Sequence, residues 1–118
     1  MIILPKRALI VRKNWLDLIF EGIKPWEMRS CKTNVRGYIG LIAAGSGHIT
    51  GTAALTDSLE AFTPNQFWQF TDKHQISAQG NESIAEKWNY PWVLENATRF
   101  TTPVPYQHPR GAVIWVNL

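Results

Sequence analysis

Six stretches of the chain carry a strand-like distribution of apolar and polar residues. "ALIV" (8–11) is a short unbroken apolar run and "GYIGLIAA" (37–44) a longer one; both fit strands buried on two faces. Residues 48–56 have period two, with Ile49, Gly51, Ala53 and Leu55 on one side and His48, Thr50, Thr52 and Thr56 on the other. "GSG" (45–47) stands between these two runs and predicts a hairpin turn. "WEMRS" (26–30) alternates as a short strand, and the β pattern returns at "PWVLENATRF" (91–100) and "GAVIWVNL" (111–118).

Helical spacing is confined to three places. Trp15, Leu18 and Ile19 share one helical face, and Gly22 stands where that helix would end. A second helix should start at Thr63, because Thr63 suits the cap, Pro64 the first helical position, and Gln66 the reciprocal bond back to the cap. A third, short one is expected at about 82–88. Strands dominate, with helices near the start and in the middle. That order predicts an α+β, mainly β fold: a small, mostly antiparallel barrel with helices packed at its ends, not an alternating βαβ domain.

At 118 residues the chain suits one domain spanning 1–118, with no repeat, low-complexity segment or linker. The net charge of +3 is unevenly spread. Residues 1–36 carry eight basic and three acidic side chains, a balance of +5; residues 37–118 carry four and six, a balance of −2. A basic first third favours an anionic partner, and nucleic acid is the commonest for a small domain. A single cysteine, Cys31, excludes an internal disulfide and fits a reducing cytoplasm. The apolar start "MIIL" is too short for a secretory signal, and no apolar run is long enough to span a bilayer, so a cytoplasmic location and no membrane contact are expected.

"GIKPWEMRS" (22–30) concentrates the candidate chemistry. On a strand from 26 to 30, Glu27 and Arg29 point to the same face, and Lys24 can fold over it. One carboxylate between two cations leaves a surplus of positive charge for an anion. Spacing alone leaves two readings open, a closed ion-pair cluster that serves the fold and a ligand site.

The order Gly22, Lys24, Glu27, Arg29 resembles the G-x-K-x-x-E-x-R signature of ASCH domains, small PUA-like β-barrels related to RNA-binding modules. In many ASCH proteins an R-Q-P-W opens the preceding helix. Here Arg12 and Trp15 match it, and Lys13 and Asn14 depart. "YPWVLENATRF" and "PVPYQHPRGAVIWV" look like the family's closing strands, whereas about 60–89 matches nothing and reads as an insertion. The resemblance implies a cleft between the first helix and the barrel, with Lys24, Glu27 and Arg29 at its mouth. One ASCH branch hydrolyses the acetyl amide of acetylcytidine with a lysine, a threonine three positions later and a further glutamate. Lys24 matches the lysine, but Glu27 stands at the threonine position, so a Lys24–Glu27 pair would act on a bound water instead.

Other candidates are weaker. Ser46, in the glycine-rich turn, and Trp92 are further candidate ligand contacts, although the turn precedes a strand rather than a helix and Trp92 sits in an apolar run. His48, His74 and His108 lack metal-ligand spacing with one another or with Cys31, so no metal or other cofactor is expected. Three functions follow. The first is an RNA- or nucleotide-binding module using Lys24, Glu27, Arg29, Arg12 and Trp15. The second is a small hydrolase of a nucleoside amide or an RNA phosphodiester, with Lys24 and Glu27 catalytic. The third is a protein-interaction domain.

Overall fold

The computed structural model describes residues 3–118; Met1 and Ile2, which begin the "MIIL" stretch, lie outside the described residues. Strands are β1 (Arg7–Val11), β2 (Trp26–Arg29), β3 (Gly37–Ala43), β4 (His48–Ser58), β5 (Tyr90–Pro105) and β6 (Trp115–Asn117). Helices are α1 (Lys13–Phe20), α2 (Pro64–Gln69) and α3 (Thr71–His74), with a 3₁₀ turn at Glu82–Glu86. The strands form one curled half-barrel sheet in the order β2-β5-β4-β3-β1-β6. Among the described residues only β1 and β3 run parallel, with Ala8 beside Gly40; the other neighbours are antiparallel. The mainly β barrel-like class read from the sequence is the observed one.

Three apolar clusters hold the sheet. Leu16 and Ile19 of α1 pack on Leu9, Val11, Leu41 and Trp92. Ala8, Ile42, Ile49 and Val116 bury the opposite face. This two-sided burial explains the unbroken run in β3, where every residue from Ile39 to Ala43 is buried. Met28, Phe67, Ile76 and Ala85 form the third cluster, which fixes the 60–89 segment against β2. Trp26 is half-buried there, edge-on to Phe62 at 5.7 Å.

Two glycines are required where they stand. Gly22 takes φ +77° and lets the chain leave α1 towards Lys24, its N–H bonded to Ile19 O at 3.1 Å. Gly51 lies under Phe20: an added Cβ would sit 2.3 Å from Thr98 O and 2.5 Å from Phe20 Cε1. The cap expected at Thr63 is complete, with Gln66 N–H donating to Thr63 Oγ1 at 3.2 Å and Thr63 N–H donating to Gln66 Oε1 at 2.9 Å.

Besides α3, which no periodicity indicated, the elements differ from expectation at three points. The closing strand expected over 111–118 is confined to Trp115–Asn117. The strand expected over 91–100 runs from Tyr90 to Pro105, and Asn96 takes a left-handed conformation (φ 54°) within it. The third helix is a 3₁₀ turn ending at Glu86. No helix among the described residues is long and apolar enough to cross a membrane.

Candidate functional site

The side chains of the 22–30 motif converge because of three local choices. Gly22 ends α1, Pro25 stiffens the next step, and the two-residue period of β2 turns Glu27 and Arg29 to one side. Arg29 donates to Glu27 Oε2 at 2.8 Å and to Ile10 O at 2.8 Å. Its guanidinium also lies 5.6 Å from the Trp92 ring centre. Lys24 Nζ stands 3.9 Å from Glu27 Oε1 and 4.7 Å from the Trp15 ring centre. The Lys24 ammonium donates to His74 O, fifty positions away on α3.

Lys24 is 1 % exposed, and Glu27 is also buried. The motif therefore lies at the floor of a cleft, with Lys24 and Glu27 buried and Arg29 partly so, and is not a set of charges at its mouth. Burial pushes the Lys24 ammonium down to about 8; Glu27 counters this and Arg29 adds to it. Every buried side-chain nitrogen and oxygen among the described residues has a partner, so no member of the triad is left unpaired.

The cleft holds about 310 Å³. Lys24, Glu27 and Arg29 form its charged floor, with Trp15 of α1 beside them. Arg12, exposed at the cap of α1, stands at the rim. The far wall is apolar: Ile76, Ile84 and Trp88 come from the 60–89 segment, and Val113 from the stretch before β6. These four residues were not legible as site residues. Trp88 and Val113 are large apolar side chains left partly or largely exposed, which is the one signal they carry.

His74 locks this wall to the motif. Its Nδ1 accepts from Ile76 N–H at 3.0 Å, so Nε2 carries the hydrogen and donates to Phe67 O at 2.7 Å. The ring stacks on Phe67 at 4.2 Å. Burial depresses its pKa most, the bond to the Phe67 carbonyl opposes this, and the nearby Lys24 adds to the depression.

Arg12, Trp15, Lys24, Glu27 and Arg29 thus line the same cleft. Two expected contacts do not. Trp92 is 1 % exposed, stacked on Trp115 at 5.8 Å, with its indole N–H donating to Cys31 O at 2.8 Å; it belongs to the core cluster, and the Arg29 guanidinium lies over its ring. Ser46 lies in the β3–β4 turn, outside the cleft lining, and its hydroxyl closes that turn by accepting from His48 N–H at 3.1 Å. No cluster of three or more His, Cys, Asp or Glu among the described residues is placed to hold a metal ion.

A family model of the ASCH domain matches residues 9–104. The chain belongs to the ASCH domain family. The matched span includes the 60–89 segment that forms the far wall of the cleft. Among solved structures, ASCH from Zymomonas mobilis superposes with a TM-score of 0.72 at 15% identity, covering 95% of this chain and 86% of that one. Two single-substitution variants of that protein give TM-scores of 0.72 and 0.71 at 15% and 16% identity, covering 97% and 95% of this ASCH chain and 91% and 87% of theirs. At these identities the likeness is one of fold. No curated protein matches the sequence.

Proposed function

We propose that this ASCH domain binds RNA or a nucleotide, holding one unpaired nucleotide in the cleft between α1 and the 60–89 segment. The observation that carries the reading is the lining of the 310 Å³ space: Arg12, Lys24 and Arg29 against the single carboxylate Glu27, under walls that include Trp15 and Trp88. That volume is at the small end of ligand sites and suits one nucleotide rather than a run of them. The indole rings offer stacking surface for a base, and Arg12 at the rim is placed for a phosphate. The 60–89 segment then has a purpose, since it supplies Ile76, Ile84 and Trp88.

The test is titration with nucleosides and nucleoside monophosphates, read by tryptophan fluorescence. A monophosphate should quench more strongly and bind more tightly than its nucleoside, and Arg12→Gln should remove that difference. Absence of binding by every monophosphate at millimolar concentration would reject the reading.

One observation favours a second reading, hydrolysis of a nucleoside amide or an RNA phosphodiester. Lys24 is a buried amine brought down to about 8, beside the Glu27 carboxylate, in a cleft with apolar walls. Glu27 would take a proton from a bound water, and the cations Lys24 and Arg29 would stabilise the negative charge that develops. Turnover of acetylcytidine that disappears in Glu27→Gln is the decisive result for it. Wild-type protein that binds cytidine monophosphate but releases no acetate would leave binding alone.

A further inference from the structure

A second concave surface lies at the other end of β1. Lys6, Arg7, Asn34, Arg36 and Tyr38 line a groove of about 400 Å³ where the parallel strands β1 and β3 begin. Three cations line it and no carboxylate does. Asp57 reaches Arg36 from outside the groove at 3.7 Å and offsets one of the three. Lys6 and Arg7 form no side-chain hydrogen bond or ion pair among the described residues that would hold them elsewhere. Arg36 is anchored differently, its Nη1 donating to Thr33 O and Val35 O, both at 2.8 Å, so its guanidinium is a fixed edge of the groove.

Tyr38 decides what such a groove is suited to. It sits on an inner strand of the sheet yet is 56 % exposed. Its cross-strand partner is Ala54, too small to cover the ring. On the other side, the β1–β3 register brings the chain near Lys6 alongside it. An uncovered aromatic ring beside unpaired cations is the pairing that single-stranded nucleic acid uses, bases on the ring and phosphates on the cations. A lipid surface would engage the cations and the tyrosine as well, and comparison with vesicles separates it from RNA.

We propose that this groove is a second contact for single-stranded RNA, with Lys6 and Arg7 taking phosphates and Tyr38 stacking a base. The proposal rests on the nucleotide-binding reading of the cleft only for the choice of ligand class; its site is separate. Five residues of extended chain separate Arg7 from Arg12, roughly 16 Å at about 3.3 Å each. An RNA strand that occupies the cleft has about this distance to cover over the surface to reach the groove, and the second contact then adds to the first as an intramolecular event.

The experiment compares two probes on the full chain. A labelled ten-nucleotide oligouridylate is followed by fluorescence anisotropy at several salt concentrations, and uridine monophosphate by tryptophan fluorescence. The proteins are wild type, the double variant Lys6→Gln/Arg7→Gln, and Tyr38→Ala, each first shown to melt with the wild type. The double variant should lower the slope of log affinity against log salt by about 1.4, at about 0.7 per phosphate contact. Tyr38→Ala should weaken the oligonucleotide by about 5- to 150-fold. Neither should change the affinity for the mononucleotide. Loss of mononucleotide binding by the wild type, with an oligonucleotide affinity that still depends on Lys6, Arg7 and Tyr38, would remove the cleft reading and uphold the groove. Unchanged slope and affinity in both variants would overturn the proposal, as would tight binding to phosphatidylglycerol vesicles without binding to the oligonucleotide.

Discussion

Replacing Glu27 with glutamine keeps the shape of the side chain and removes the charge shared by two cations. Glu27 holds Arg29 at 2.8 Å and Lys24 at 3.9 Å, and all three side chains are nearly shut off from water. Removing one partner from a buried ion pair costs about 3–5 kcal/mol, because the remaining charge keeps its desolvation penalty. The two cations differ in how they escape that penalty. Lys24, already down to about 8, can shed its proton, and at pH 7 this costs only about 1.4 kcal/mol per pKa unit. Arg29 has no such exit, since a guanidinium stays charged in proteins. The loss should therefore lie near 3 kcal/mol. An unfolding entropy of about 2.1 cal/mol/K per residue over 118 residues makes 1 kcal/mol worth about 4 °C, so the midpoint should fall by about 12 °C at pH 7. Lys24→Met should fall less, because Glu27 keeps Arg29 and only the His74 carbonyl loses its donor. Circular dichroism melts of the two variants beside the wild type are the assay. A Glu27→Gln midpoint within about 3 °C of wild type, or a Lys24→Met variant that melts below it, would show that the triad does not act as a buried charge cluster.

Three further outcomes follow from the same structure. The Lys24 amine releases its proton at about 8 when folded and at its ordinary 10.5 when unfolded, so between those values the unfolded chain holds more protons and stability rises with pH, by up to about 3 kcal/mol; the lead of wild type over Lys24→Met in thermal melts should widen from pH 7.5 to 10. Gly51→Ala should leave little soluble folded protein, because the added Cβ meets Thr98 O at 2.3 Å and the Phe20 ring at 2.5 Å; a melt within about 4 °C of wild type would contradict that packing. Thr63→Ala removes the cap of α2 and should cost about 1 kcal/mol in denaturant unfolding, while Thr63→Ser should restore it.

Much of the sheet was legible because its strands obey simple periods. The unbroken run of β3 and the alternation of β4 reflect burial on two faces and on one, and Gly22 marked the end of α1 by its left-handed backbone. The same-face placement of Glu27 and Arg29 followed from the period of β2 and is realised as a 2.8 Å contact. What failed was depth. Nothing local to residues 22–30 indicates that the 60–89 segment closes over Lys24, because its partner is a backbone carbonyl fifty positions away. The turn that delivers this carbonyl, α3, is four residues long and ends at Gln75 in a left-handed conformation, too short for any periodic signal. Trp92 misled for a related reason: on β5 it faces the core, and it supports Arg29 from beneath instead of meeting a ligand.

The third apolar cluster has a consequence for access to the cleft. Four buried residues, Met28, Phe67, Ile76 and Ala85, hold the 60–89 segment, against eleven in the cluster beneath α1. Held by the smaller cluster, the segment should open at a free energy below that of global unfolding, with amide hydrogens that exchange sooner than those of β3 and β4. The cleft is complete only for the fraction of the time that this wall stays closed. Apparent affinity for any occupant is the intrinsic affinity reduced by that fraction. Tightening the packing around Phe67 and Ile76 would then strengthen binding without touching a single residue of the charged floor, and loosening it would weaken binding by the same route.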